Sequence, residues 1–419
     1  IVINNIINKI CSETKKTVKH GVIRVTTLTT GSEAWWQSKN GPEWERQKEN
    51  CRVTFWWRDP AGTQKTSSVK RVWLYVTGVT DHHQNARPQS LERIPDTDVW
   101  QWQGEFSPEW RGSYCFIPSV NENDFADAVF EGESPDRMAL REGWGKLLPH
   151  AVSDPLNPQS WRGGRGHAVS ALEMPGAPVQ PGWDRPDTPH HAPVCIDWES
   201  ARLKNRRRVW IFTTGEENPE RPLAVLLDGQ FWAESMPVWP ALAALTREGK
   251  LPPAVYVLID VIDTAHRSRE LPCNPDFWLA VQEELLPHIQ CIAPFSDRAD
   301  RTVAAGQSFG GLSSLYAGLN WPQRFGCVLS QSGSYWWPHR GAQQEGLLIG
   351  QLKAGEKTAR GLRIVLEAGR NEPLIFRVNQ AIYAELHAQQ VYWRQVDGGH
   401  DALCWRGGLT QGLMTLWQP

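Results

Sequence analysis

The chain has 419 residues, with 44 basic and 46 acidic side chains, so its formal charge is only −2. That balance argues against a nucleic-acid partner or a charged membrane surface, and the longest apolar runs are strand-length, short of the ~20 residues of a membrane span. Eight cysteines are scattered with no CxxC pair and no metal-ligand spacing, so buried thiols in a reducing compartment are expected, and no catalytic metal. Tryptophan is the outlier at 23 residues; most should be core, and the surplus suits a protein that handles aromatic ligands.

Residues 1–24 place a mildly apolar stretch before a lysine-rich one, the reverse of a signal peptide, so an N-terminal extension is expected and export is not. From 25 to 150 the pattern is β. Arg52–Arg58, Val69–Thr77, Val99–Gly104 and Gly112–Ile117 read as strands, with a turn signal at Asp59-Pro60-Ala61-Gly62. Short strands at this spacing predict a β-sandwich of immunoglobulin-like type. Thr80-Asp81-His82-His83 invites a metal-site reading, but adjacent histidines on an extended chain point apart, so solvated side chains are expected. Residues 151–194 are rich in Pro, Gly and Trp and read as a linker carrying a cationic cluster, Arg162, Arg165 and His167.

From 195 to 419 strands alternate with helices. Strands are expected at Arg208–Thr214, Arg221–Leu227, Pro252–Val261, Thr302–Ala305, Phe325–Gln331, Leu362–Ala368 and Val391–Val396. Helices are expected at Phe277–Ile289, Asn379–Gln389 and Leu409–Trp417. The alternation predicts an α/β fold with a mainly parallel sheet covered on both faces. Its site should lie beyond the carboxyl ends of the strands.

Residues 302–319 supply the chemistry. A short apolar strand runs into Gly306-Gln307-Ser308-Phe309-Gly310, and from Phe309 the apolar residues Leu312, Leu315, Tyr316 and Leu319 recur at helical spacing. Strand, G-x-S-x-G and helix together make a nucleophile elbow, in which Ser308 is lifted above the sheet on a strained turn. The glycines are needed because the flanking backbone approaches too closely for a Cβ. The helix dipole beneath the serine favours a developing oxyanion.

A serine nucleophile needs a base, and His400 in Gly398-Gly399-His400-Asp401 follows the last strand, in the chain order serine, acid, histidine. The acid should follow the strand ending near Ala368; Glu372 in the loop and Glu367 in the strand compete, with the loop carboxylate better able to reach a histidine Nδ1. Asp397 and Asp401 flank the histidine too closely in sequence to serve. The oxyanion donors should be the backbone N–H of Phe309 and that of Gln230, in the Asp228-Gly229-Gln230 turn.

At these residues the chain resembles the esterase D-like branch of the α/β-hydrolases: LLDGQFW at 226–232, HRSREL at 266–271, AGQSFGGLSSLYAGL at 305–319 and GGHDALCW at 398–405. More closely it is similar to the enterochelin esterase family, through GSEAWWQSK at 31–39, TFWWRDP, VTGVTDHHQN, WRGSYCFIP, DPLNPQSWRGGRGHAVSALEMP and QSGSYWWPHR. The resemblance implies a cytoplasmic serine esterase that opens the trilactone of the catecholate siderophore enterobactin, with no cofactor, since iron enters as part of the substrate. It implies Ser308 as nucleophile and His400 as base, with Glu372 where the family usually carries aspartate. A bulky aromatic trianion calls for arginines beside aromatic rings, for which Arg165, Arg267, Arg340, Trp232, Trp336 and Trp337 are the candidates. An esterase D-like carboxylesterase or an acyltransferase acting on another ester, and a siderophore-binding protein, remain as alternative readings.

Overall fold

The computed structural model describes residues 28–128, 136–162, 166–184, 186, 187, 189, 191–339 and 345–418. The chain divides into a unit ending at Lys39 and a second from Asn40 to Pro419. In the first, helix α1 (Glu33–Gln37) is capped by Ser32, whose hydroxyl accepts the Trp35 N–H at 3.2 Å.

The second unit holds two sheets. The N-terminal sheet joins β1 (Glu43–Arg46), β2 (Cys51–Arg58), β3 (Arg71–Val76), β4 (Gln89–Arg93), β5 (Val99–Phe106), β6 (Arg111–Ser119), β7 (Ser160–Arg162) and β8 (Ala168–Glu173). Their order is β1-β2-β5-β4-β3-β6-β8-β7, and every pairing is antiparallel. One core is fed from both halves of this ladder: Val53 and Phe55 of β2 and Trp100 of β5 meet Val72 and Leu74 of β3 and Tyr114 and Phe116 of β6. The opposite face of β3 and β6 is covered by helix α2 (Arg137–Leu147), whose Leu140 and Trp144 pack on Trp73, Tyr75 and Cys115.

The expected linker is partly sheet. Within residues 151–194, β7 and β8 extend the N-terminal ladder, and β8 is buried on both faces beside β6, through Val169 and Ala171 on one and Ser170 and Leu172 on the other.

The C-terminal sheet runs β16-β15-β14-β13-β11-β12-β10-β9. Its strands are β9 (Val194–Ser200), β10 (Asn205–Thr213), β11 (Leu223–Leu226), β12 (Val255–Ile259), β13 (Thr302–Gln307), β14 (Cys327–Gln331), β15 (Arg363–Gly369) and β16 (Gln390–Val396). Pairings from β16 through to β12 are parallel; β12–β10 and β10–β9 are antiparallel. Alternate residues feed opposite cores. Ala224, Leu226, Tyr256 and Leu258 face one layer, while Leu223, Val225, Val257 and Ile259 face the other.

Helices cover both faces: α3 (Trp239–Arg247), α4 (Thr264–Glu270), α5 (Pro275–Ala280), α6 (Leu286–Ile292), α7 (Phe309–Asn320), α8 (Leu347–Lys353), α9 (Pro373–Glu385) and α10 (Ala402–Leu416). A π turn, Val281–Leu285, joins α5 to α6. Two helices start earlier than periodicity suggested. Pro373 opens α9, where its missing N–H costs nothing, and Asp401 caps α10 by accepting the Leu403 N–H. Among the described residues no helix is long and apolar enough to cross a membrane, and the seven described cysteines are all free thiols.

The two sheets meet at the loops that follow β15 and β16. Ser107 donates its hydroxyl to Asp397 at 2.6 Å, Arg111 donates its N–H to the Asp397 carbonyl at 3.1 Å, and Gln84 donates to the Asn371 carbonyl at 2.8 Å. Gly78 sits so close to Gly399 that a Cβ there would come within 2.8 Å of its backbone.

Candidate active site

The elbow has the predicted geometry. Ser308 lies between β13 and α7 with φ 58° and ψ −119°, a conformation that costs a non-glycine residue on the order of 1–3 kcal/mol. A Cβ on Gly306 would fall 2.5 Å from the Gly310 carbonyl carbon, so the chain cannot turn here with any larger residue. Gly310 itself is roomier, with the Leu227 Cβ 3.4 Å from the equivalent point. Ser308 donates its N–H to the Gln331 carbonyl at 3.0 Å, which ties the turn to β14.

His400 and Glu372 are brought together. His400 Nδ1 lies 2.5 Å from Glu372 Oε2, and the glutamate side chain is wholly buried. The other carboxylate oxygen accepts the Ser332 hydroxyl at 2.6 Å and the Gly369 N–H at 2.9 Å. These donors hold the carboxylate aimed at the ring, which fixes the tautomer with its proton on Nδ1 and the lone pair on Nε2. Burial pushes the imidazole below its ordinary pKa; the nearby His83 and Arg267 push the same way, while Glu372 opposes them.

Glu367 is excluded from this role by the pleat. It is the β15 member of a polar row in which the buried Gln307, Gln331 and Glu367 and the half-buried Arg394 are register neighbours on four adjacent strands. Gln307 donates to Gln331 at 2.9 Å, Gln331 to Glu367 at 2.9 Å, and Arg394 stands 2.8 Å from the far oxygen. Burial in this row raises Glu367 to about 7, with Arg394 and Gln331 opposing.

Among the described residues Ser308 Oγ is 3.3 Å from Ser334 Oγ, and no hydrogen bond joins it to His400. Such contacts commonly tighten only with substrate in place. Phe309 heads α7, so its N–H has no acceptor within the helix. Gln230 follows Asp228 at φ 51° and Gly229, whose backbone lies on β12 so closely that a Cβ would meet Ile259 N at 2.4 Å. Its side chain accepts the Val261 N–H at 3.2 Å, anchoring the turn.

The substrate-binding candidates divide. Arg165 and Arg340 lie outside the described residues. Arg267 pairs bidentately with Asp228, at 2.6 and 2.8 Å, and lies 5.7 Å from the Phe309 ring; Trp336 flanks that ring at 5.7 Å on centroids. Trp337 is half-buried against the core beside α7. Trp232 is core, with its Nε1 on the Gln307 side chain at 3.0 Å, so its ring is not presented to a ligand.

Three features were not anticipated. The Ser332–Ser334 loop touches both Ser308 and Glu372. Asp401, taken only as a flanker, is buried and caps α10. The paired histidines are half-buried and not splayed: His82–Gln84 form a 3-10 turn, which brings the two rings to 4.0 Å, and His83 lies 4.8 Å from His400.

The fold and the site define a serine carboxylic-ester hydrolase on an α/β scaffold. Comparison with known proteins agrees: residues 52–183 match the enterochelin esterase N-terminal family and residues 200–416 the putative esterase family. The chain belongs to the enterochelin esterase family. It is 68% identical to the iron(III) enterobactin esterase of Escherichia coli K12, over 94% of this chain and 98% of that one, and 48% identical to that of Dickeya dadantii, over 92% and 93%. The crystal structure of ferric enterobactin esterase from Salmonella typhimurium superposes with a TM-score of 0.90 at 69% identity, covering 93% of this chain and 99% of that one. The Shigella flexneri enterobactin esterase crystallised in the presence of enterobactin gives 0.86 at 67%, covering 94% and 100%.

Proposed function

We propose that this chain hydrolyses the trilactone esters of iron(III) enterobactin to dihydroxybenzoylserine units. The observation that carries the chemistry is the strained Ser308 elbow joined, through the Ser332–Ser334 loop, to a histidine pinned to a buried glutamate at 2.5 Å. The substrate follows from the relatives, at 68% identity across nearly the whole chain.

Ser308 Oγ attacks a lactone carbonyl while His400 Nε2 accepts its proton, and Glu372 stabilises the imidazolium without taking that proton. The N–H groups of Phe309 and Gln230 receive the oxyanion. Collapse breaks the C–O bond to the seryl oxygen, which leaves with the proton from His400. Water, deprotonated by the same histidine, then releases the acyl group from Ser308. To start, Ser308 must exchange its Ser334 contact for one with His400.

No resident cofactor takes part in this reading, because iron arrives in the substrate and catalysis needs only nucleophile, base and oxyanion hole. The Phe309 and Trp336 rings offer flat faces for catechol groups, with Arg267 alongside, its own charge met by Asp228. The cell compartment is the cytoplasm, in keeping with seven unpaired thiols among the described residues. The N-terminal ladder is read as an immunoglobulin-like sandwich, folded at β4 so that its two halves share the core described above.

The test is chromatography of ferric enterobactin after incubation with wild type and Ser308→Ala. Wild type should give dihydroxybenzoylserine species and the variant should leave the trilactone intact. Cleavage of a simple aryl ester without cleavage of the siderophore would remove the substrate from this reading, and an active Ser308→Ala would remove the nucleophile.

A further inference from the structure

We infer that His83, supplied by the N-terminal sheet domain, is a positioning residue for the catalytic base. The inference rests on the esterase reading above and concerns the same site.

The His400 ring is pinned at one atom only, Nδ1, on Glu372. One hydrogen bond leaves the plane of an imidazole free to swing, and Nε2 has no partner among the described residues that would stop it. What limits the swing is packing against two neighbouring rings. Trp405 stands at right angles to the ring, at 4.8 Å between centroids, and His83 lies against it at 4.8 Å with a 39° tilt. Trp405 is itself fixed, since its Nε1 donates to Ser332 at 2.9 Å.

His83 is equally well held. Its Nδ1 lies 2.9 Å from Asp81 Oδ2, and the Asp81 side chain is only 1% exposed against 25% for His83. It also packs against His82, whose Nδ1 lies 2.6 Å from the Tyr75 hydroxyl. Gln84 fastens the same turn twice, to Asp81 Oδ1 at 3.2 Å and to the Asn371 carbonyl at 2.8 Å. The second of these joins the turn to the residue preceding Glu372. A ring set this firmly, with its carboxylate partner buried, is an assembled wall for the base. The donor atoms of Asp81, His82 and His83 lie within 4.8 Å of one another, but both Nδ1 atoms are already engaged, which favours the wall over a metal site.

The experiment uses the full chain as wild type, His83→Ala and His83→Phe, with two ester probes, ferric enterobactin and 4-nitrophenyl acetate. A third readout is the second-order rate at which a fluorophosphonate labels Ser308, which needs the base but no turnover. His83→Ala should lower kcat on both esters and the labelling rate by about 10- to 100-fold with KM little changed, the scale expected for a misplaced catalytic group. His83→Phe, which restores a flat wall without the Asp81 bond, should recover most of the loss. Thermal unfolding of the same variants separates a folding defect, which would depress all probes in proportion to the folded fraction.

Unchanged labelling with a raised KM on the siderophore alone would make His83 a substrate contact and overturn the inference. So would a Phe variant as slow as Ala. If wild type labels and cleaves the aryl ester but leaves the siderophore intact, the proposed substrate fails while the role of His83 is still decided by the other two probes.

Discussion

Ser113 grips both oxygens of Asp401: its N–H reaches Oδ2 at 2.5 Å and its hydroxyl Oδ1 at 2.7 Å. Ser113 belongs to β6 of the N-terminal sheet, and Asp401 is the residue after His400. One buried carboxylate therefore caps α10 and fastens the loop that carries His400 to the other domain. Ser113→Ala removes one donor from a buried acceptor and should cost about 1–3 kcal/mol of stability. It should also lower kcat, because the His400 loop loses its anchor. Thermal unfolding and ester kinetics on the one variant check both; full activity with lost stability would confine Ser113 to holding the domains together.

Substituting the two glutamates should separate their roles. Glu372→Gln cannot stabilise the imidazolium and presents an amide to Nδ1, so kcat should fall by about 10²–10⁴-fold with stability nearly kept. Glu367→Gln leaves the His400 pair intact and should keep most of the activity. A large loss in Glu367→Gln with little in Glu372→Gln would reverse the assignment of the acid.

Glu367 should instead be seen in the pH dependence of stability. Its folded pKa is raised from 4.5 to about 7, so across that window the folded chain binds more proton than the unfolded one. Stability from this group is full below about 4.5 and is lost as pH rises towards 7. Glu367→Gln should flatten that part of the profile, measured as denaturation midpoint against pH.

His400 titrates in the other direction. The His400 pKa is lowered below the ordinary 6.5, so its neutral form persists into mildly acidic solution. The acid limb of kcat/KM should therefore have its midpoint below that value. The same depression means that stability is lost as pH falls through the folded pKa, since the unfolded histidine takes the proton first. A limb centred above 6.5 would mean that Glu372 outweighs burial.

At the elbow, Gly306→Ala should be far worse than Gly310→Ala. The first places a methyl group 2.5 Å from backbone carbon that cannot retreat, whereas the second meets Leu227 and Asp228 side-chain atoms at 3.4 and 3.5 Å. We expect Gly306→Ala to abolish fluorophosphonate labelling and Gly310→Ala to slow it. Equal effects would mean that the second glycine is required for something other than space.

What could be read from the chain alone was what lies close together in it. The elbow is contained in a few residues, and His400 and Glu372 each follow a strand whose apolar run marks its own end. The loop glutamate could be preferred over Glu367 because a residue within a strand is committed to one face of the sheet, here the polar row. Ser113 and Asp401 are 288 positions apart, and no local pattern joins them. The histidine pair misled for a related reason. On an extended chain its rings would diverge, but Asp81 and Gln84 close a 3-10 turn that no strand-like reading anticipates. Trp232 could not be told from a ligand-facing ring, because its burial depends on a carboxamide 75 positions away.

The row Gln307–Gln331–Glu367–Arg394 also bears on how the chain finds this arrangement at all. Parallel strands buried on both faces are apolar at nearly every position, so a slip by one residue would still bury hydrocarbon against hydrocarbon and would cost little through hydrophobicity alone. The polar row removes that degeneracy. Slide any one of β13, β14, β15 or β16 along its neighbour and an amide or a charge is left in the interior with no mate, at a cost of about 1–3 kcal/mol or more each. The four residues act as an alignment key for the sheet, and the positions immediately beyond that key are where Ser308 and the loops carrying Glu372 and His400 begin.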